Sequence, residues 1–164
     1  MEQKLRNVRL HQGIPNTDYF QTFLNKPGLK VLIFDDLMSI LVSNKDVEEL
    51  MLCSSHHRRC VVLYTAQSIF NNRGVYSRSQ SANTHIFFIM NSSRNLDSIL
   101  IFARQVVGSG PAYKSFQKIW EDNIWNKPYS YLCINCSPST PADFRLSTDI
   151  FSDKPTKVFV IKQH

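Results

Sequence analysis

The sequence contains no apolar run near the roughly 20 residues that a membrane-spanning helix requires, so a membrane partner is not expected. Its opening, MEQKLRNVRLHQG, has charge but no apolar stretch, which argues against a secretory signal. Without a signal, the four cysteines read as reduced thiols and the expected location is intracellular. Internal repeats are absent too. So is any Gly-x-x-x-x-Gly-Lys-Ser/Thr stretch, the loop whose backbone N–H groups and lysine hold nucleotide phosphates. The nearest imitation, Gly108 to Ser115, has Tyr113 where the second glycine belongs. Pro111 removes a backbone N–H there, and the segment follows a helical pattern where a phosphate loop must follow a strand.

What is present is an ordinary globular composition, 43% apolar and 20% charged, which excludes a disordered chain. The length of 164 residues suits one domain with a real core, residues 1–164. The formal charge of +6 favours an anionic partner, of which nucleic acid is the commonest.

Hydrophobic patterning predicts a short helix over 16–25, stopped by Pro27 and Gly28. It predicts a strand over 29–36 and a helix over 43–54, capped by Ser43. A second strand over 60–67 comes next, then a polar loop over 68–84 and a strand over 85–90. Helices are expected over 96–107, capped by Asn95, and from Pro111 to about 125. Later strands fall at 129–137 and 157–162, joined by a loop over 138–156. Strands alternating with helices argue for an α/β fold whose sheet is mostly parallel, with its strands buried on both faces. In such sheets function gathers at the carboxyl ends of strands.

Those ends carry Asp35 and Asp36 on one strand and Gln67 on the next. An apolar strand ending in two acids is the Walker B pattern: one acid orders Mg²⁺ near nucleotide phosphates, the other polarises the attacking water. The same two acids also suit the start of a helix, where carboxylates are favoured. Gln67 reads either as a γ-phosphate sensor or as a polar residue leaving a strand.

Several segments in fixed order make a more specific pattern: VLIFDDLM, SSHHRRCVVLYTAQSIF, the Arg78–Asn83 loop, FFIMNSSRN, FARQ and KPYSYLCINCSPSTPADFRLSTDIF. Over about residues 8–152 the chain resembles the DNA-packaging ATPases of the FtsK–HerA superfamily, of the kind found in Polinton/Maverick elements, adintoviruses and large DNA viruses. The resemblance implies a P-loop NTPase-like fold of the RecA/ASCE type. This chain would be its C-terminal portion, from the Walker B half onward, without the unit that carries the phosphate loop. It implies Asp35 as the Mg²⁺–ATP acid acting through water, Asp36 as the catalytic acid and Gln67 as the sensor. Arg78 and Arg94 match recurrent arginines of the family, which read as fingers acting across a subunit interface or as solvated loop residues. Double-stranded DNA, a homo-oligomeric ring and capsid proteins are the implied partners, and the host nucleus, viral assembly site or virion the implied place.

The chain departs from the family in three places. Thr-Gln-Asn becomes Ala66-Gln67-Ser68, and Asn-Pro-Arg-Asp becomes Asn91-Ser92-Ser93-Arg94-Asn95. With no phosphate loop, this chain alone is not expected to hydrolyse ATP. His57, Arg58 and Arg59, in a basic run that begins at His56, face DNA in one reading and are a solvated strand start in the other. The spacing of Cys53, His56, His57, Cys60, Cys133 and Cys136 imitates a zinc site. Cys133 and Cys136 would point to opposite faces of a strand, so no zinc is expected.

Overall fold

The computed structural model describes residues 8–70, 77–125 and 127–161. The chain is a mixed α/β protein that gathers into two compact units. The first holds residues 1–67 and 71–83, and the second holds residues 68–70 and 84–164.

In the first unit, α1 (Thr17–Leu24) starts at Asn16, whose side chain accepts a hydrogen bond from the Tyr19 N–H. It buries Phe20 and Leu24. β1 (Lys30–Phe34) pairs in parallel with β2 (Cys60–Tyr64), Lys30 opposite Cys60 and Phe34 opposite Tyr64. Between them lie α2 (Met38–Leu41), α3 (Lys45–Glu49), a π-helical turn (Leu50–Ser54) and α4 (Ser55–His57). The cap of α3 is Asn44, accepting from the Val47 N–H at 3.0 Å, one residue past the expected Ser43. Phe20, Leu24, Phe34, Leu41, Val47 and Leu50 form the core.

The parallel pair is not covered on both faces as its sequence suggests. Phe34 points into the core, while Val31, Ile33, Val61 and Leu63 stay exposed on the other side. Part of the expected 68–84 loop is helical. α5 (Ser77–Ala82) is fixed by polar contacts that periodicity does not reveal: Gln80 Nε2 donates to the Leu41 carbonyl at 2.7 Å, and Ser79 Oγ donates to Glu48.

In the second unit, β3 (Ile86–Met90), β4 (Tyr131–Asn135), β5 (Leu146–Thr148) and β6 (Lys157–Phe159) form a four-stranded sheet in that order. All its pairings are antiparallel, where a mostly parallel sheet was expected. For β3 and β4 the cause is the connection. One helix between two strands returns the chain for a parallel strand, whereas two helices reverse it once more. Here α6 (Leu96–Val107) and α7 (Pro111–Asn123) both intervene between β3 and β4. Asn95 occupies the N-cap position of α6, but it makes no side-chain capping hydrogen bond there, unlike the cap that the sequence suggests.

The turn between these helices is the glycine-bearing segment that imitates a phosphate loop. Gly108 (φ 83°) closes α6 and Gly110 (φ 70°) opens α7, both in the left-handed region that glycine adopts freely. Pro111 takes the first position of α7. A helix–turn–helix junction offers no strand from which a phosphate cradle can spring. Ile99, Phe102, Phe116, Trp120, Leu132 and Ile134 are the centre of this unit's core.

Candidate functional site

The two parallel strands end level, and one hydroxyl holds the residues just past them. The Thr65 N–H donates to the Phe34 carbonyl at 3.0 Å, extending the pairing by one step. Thr65 Oγ1 then donates to Asp35 Oδ1 at 2.9 Å and accepts from the Asp36 N–H at 3.0 Å. One side chain just past the second strand thus holds the Asp35 carboxylate and the Asp36 backbone at the end of the first. Phe34 anchors the strand from below, its ring edge-on to Phe20 with centroids 6.4 Å apart.

Asp36 has φ 53°, the left-handed region that aspartate enters more readily than most residues, at a cost of about 1 kcal/mol. The chain breaks direction there. The next helix, α2, takes Leu37 as its N-cap and has no side-chain cap. Asp36 makes no capping bond to α2, although both acids stand just before its start, as the helix-start alternative has it. Both acids are exposed, and among the described residues neither is in an ion pair.

The other sequence-derived positions do not all join this site. β2 stops at Tyr64, so Gln67 lies three residues beyond the strand, in exposed irregular chain. The polar residue that does stand at the strand end is Thr65. Sequence reasoning passed over it, although a hydroxyl one step past a strand, beside a neighbour ending in two acids, was a readable signal. Arg78 falls in α5, and its side chain lies outside the described residues. Arg94 belongs to the second unit, exposed in a 3-10 turn (Ser93–Asn95) that leads into α6.

The basic corner sits at the other end of the strands. His57 closes α4, Arg58 Nη1 donates to Asn25 Oδ1, and Arg59 adopts φ 50° as the chain turns into β2. The Lys30 N–H donates to the Arg59 carbonyl at 3.0 Å, so this corner borders the amino ends of both strands. All three side chains are exposed. Five residues of strand span about 13 Å, so the basic corner and the acids lie at opposite ends of the pair. Beneath it the buried Lys30 turns its ammonium onto the carbonyls of Lys26 and Gly28, at 2.8 and 3.0 Å.

The three described cysteines, Cys60, Cys133 and Cys136, are free thiols, Cys133 buried and the other two half-buried. Burial pushes the Cys133 thiol up, only partly offset by a hydrogen bond with Ser147. Burial also raises Cys60, against the lowering effect of Lys30, and Cys136, against that of Arg145. Among the described residues no group of three or more His, Cys, Asp or Glu is placed to hold a metal ion. The side chains of Cys53 and His56 lie outside the described residues. No described helix is long and apolar enough to cross a membrane.

Comparison with known proteins returns nothing: no family model, curated protein or solved structure matches the chain.

Proposed function

We propose that the first unit is the acidic half of a nucleotide site in an ATP-driven motor that packages or translocates double-stranded DNA for a virus or virus-like element. The observation that carries this reading is the Thr65 clamp, which holds the Asp35 carboxylate and the Asp36 backbone N–H at the end of a parallel strand pair. Asp35 is the acid suited to a hydrated Mg²⁺ beside ATP, and Asp36 the acid suited to take a proton from water. When bound, Mg²⁺ would offset charge on the nucleotide phosphates. Asp35 would be held in one orientation by the Thr65 hydroxyl. Asp36 would be aimed by its left-handed backbone. The donor set fits such an ion, which keeps most of its waters and takes one or two protein carboxylates.

In this reading β1 and β2 are two strands of a larger P-loop-type parallel sheet. The open apolar face of Val31, Ile33, Val61 and Leu63 supports it, because parallel strands are ordinarily covered on both sides. The phosphate-holding loop then comes from another segment or another subunit of a homo-oligomeric ring, with Gln67 as sensor and Arg78 or Arg94 acting across the interface. Capsid proteins are the further partners. The chain alone does not turn over ATP.

The test uses Mn²⁺ as a paramagnetic stand-in, added with ATP while the backbone amides are followed by NMR. Broadening centred on Asp35, Asp36 and Thr65, and removed by Asp35→Asn, supports the reading. Broadening spread evenly over surface acids overturns it, as does steady ATP hydrolysis by the chain alone.

A second reading is favoured by the exposed His57, Arg58 and Arg59 at the opposite end of the strands: a DNA-binding or interaction module without catalysis, derived from a decayed packaging ATPase. Salt-sensitive duplex binding without Mn²⁺–ATP binding would distinguish it.

A further inference from the structure

The four-stranded sheet of the second unit has two faces of different character. Phe87, Ile89, Leu132, Ile134, Leu146 and Phe159 belong to the side packed with α6 and α7. The register places Phe88, Cys133, Ser147 and Val158 in one row across the opposite face, with Cys133 and Ser147 buried in the middle and Phe88 and Val158 exposed at the two ends. Along β3 that face continues with Ile86 and Met90, both exposed. Phe151 joins it from the loop after β5, its ring 5.3 Å from Phe88 and 6.0 Å from Tyr131. Phe88 and Tyr131 are edge-on at 5.8 Å.

Hydrogen bonds hold the Tyr131 ring and the backbone that carries the other side of the cluster. The Phe151 N–H donates to the Tyr131 hydroxyl at 2.9 Å, and Thr148 Oγ1 donates to the Tyr131 carbonyl at 2.7 Å. An aromatic cluster standing in water at 76% exposure for Phe151 and 44% for Phe88 is a surface suited to a partner.

We infer that this face pairs with the same face of a second copy of the chain. Two observations choose that occupant. The first is size. With about 200 Å² for a fully exposed side chain of this kind, the open patch is on the order of 500 Å². Two copies face to face then bury on the order of 1,000 Å², the lower bound for a specific interface.

The second is charge. The segment beside the patch carries Asp149 and Asp153 together with Lys154 and Lys157, and Asp149 already pairs with Lys157 at 3.6 Å. Its net charge is zero, although the chain as a whole is +6. A neutral rim of both signs is self-complementary under two-fold symmetry, where each patch meets its own image. It gives no attraction to a phosphate backbone, which would call for a rim of lysine and arginine. The pairing is sheet on sheet, and it does not depend on the nucleotide reading above.

The experiment is sedimentation equilibrium of the whole chain over a wide concentration range, with Phe151→Lys as the main variant. Because Phe151 is mostly exposed, this variant keeps the fold, which circular dichroism verifies. The expected result is a monomer–dimer equilibrium whose dissociation constant rises at least tenfold in Phe151→Lys, and likewise in Val158→Lys. Ile33→Lys, on the open face of the other sheet, leaves it unchanged. A chain that stays monomeric throughout overturns the proposal. So does a dimer broken by Ile33→Lys but not by Phe151→Lys, or a monomer whose Phe151 is protected by single-stranded oligonucleotide.

Discussion

The hydroxyl of Thr65 donates to Asp35 at 2.9 Å across the ends of two parallel strands, and it also accepts the N–H of Asp36. Replacing Thr65 by valine keeps the shape and β-propensity but deletes both bonds. A net loss of about 1 kcal/mol is expected, since both bonds are exposed. Thr65→Ser restores most of it. Urea unfolding of the three proteins checks this, and equal midpoints would show that the clamp contributes nothing.

Asp36 separates backbone from charge. At φ 53° a β-branched residue is strongly disfavoured, whereas asparagine or glycine is accepted. Asp36→Asn should melt within a degree or two of the parent, and Asp36→Val should be destabilised by about 1–2 kcal/mol. Both remove the acid, so a difference in melting between them reports the backbone alone.

The core of the second unit rests on Phe116, which has no solvent exposure. Phe116→Ala should cost about 3–5 kcal/mol. Thermal denaturation followed by near-ultraviolet circular dichroism measures this. A loss under 1 kcal/mol would mean that α7 is not packed on the sheet as described.

Stability should fall on the alkaline side. The thiols of Cys60, Cys133 and Cys136 are all raised in the fold, chiefly by burial. As pH climbs past about 8.5, the unfolded chain sheds these protons while the folded chain keeps them. The unfolded state then binds fewer protons, so the free energy of unfolding declines with pH. The thiol contribution is complete below that range and is lost as pH rises through the folded values. Urea midpoints from pH 7 to pH 10 test this, with Cys133→Ala expected to flatten the decline. An unchanged slope in that variant would remove Cys133 from the account.

The elements that announce themselves in the sequence are those whose own residues decide them. Asn16 before an apolar stripe, Pro111 at a helix start and the β-branched run before Asp35 each found its place. What escaped is set by distant partners. α5 looks like loop because serine, arginine and glutamine fill it, and it is held by Glu48 and the Leu41 carbonyl. β5, inside the expected 138–156 loop, has three residues, and its pairing with β4 and β6 makes it a strand. Strand direction escaped as well, since the path of α6 and α7 sets it. At the site, the acids were legible as a motif. Thr65 was legible only as a hydroxyl just past a strand; its role depends on the register that brings Tyr64 opposite Phe34.

The strand pair is bolted at both ends, by the Lys30 N–H on the Arg59 carbonyl and by the Thr65 N–H on the Phe34 carbonyl. Neither strand can slide past the other without breaking a bond at one end. The register that sets Thr65 beside Asp35 at one end therefore also sets Arg59 beside Lys30 at the other.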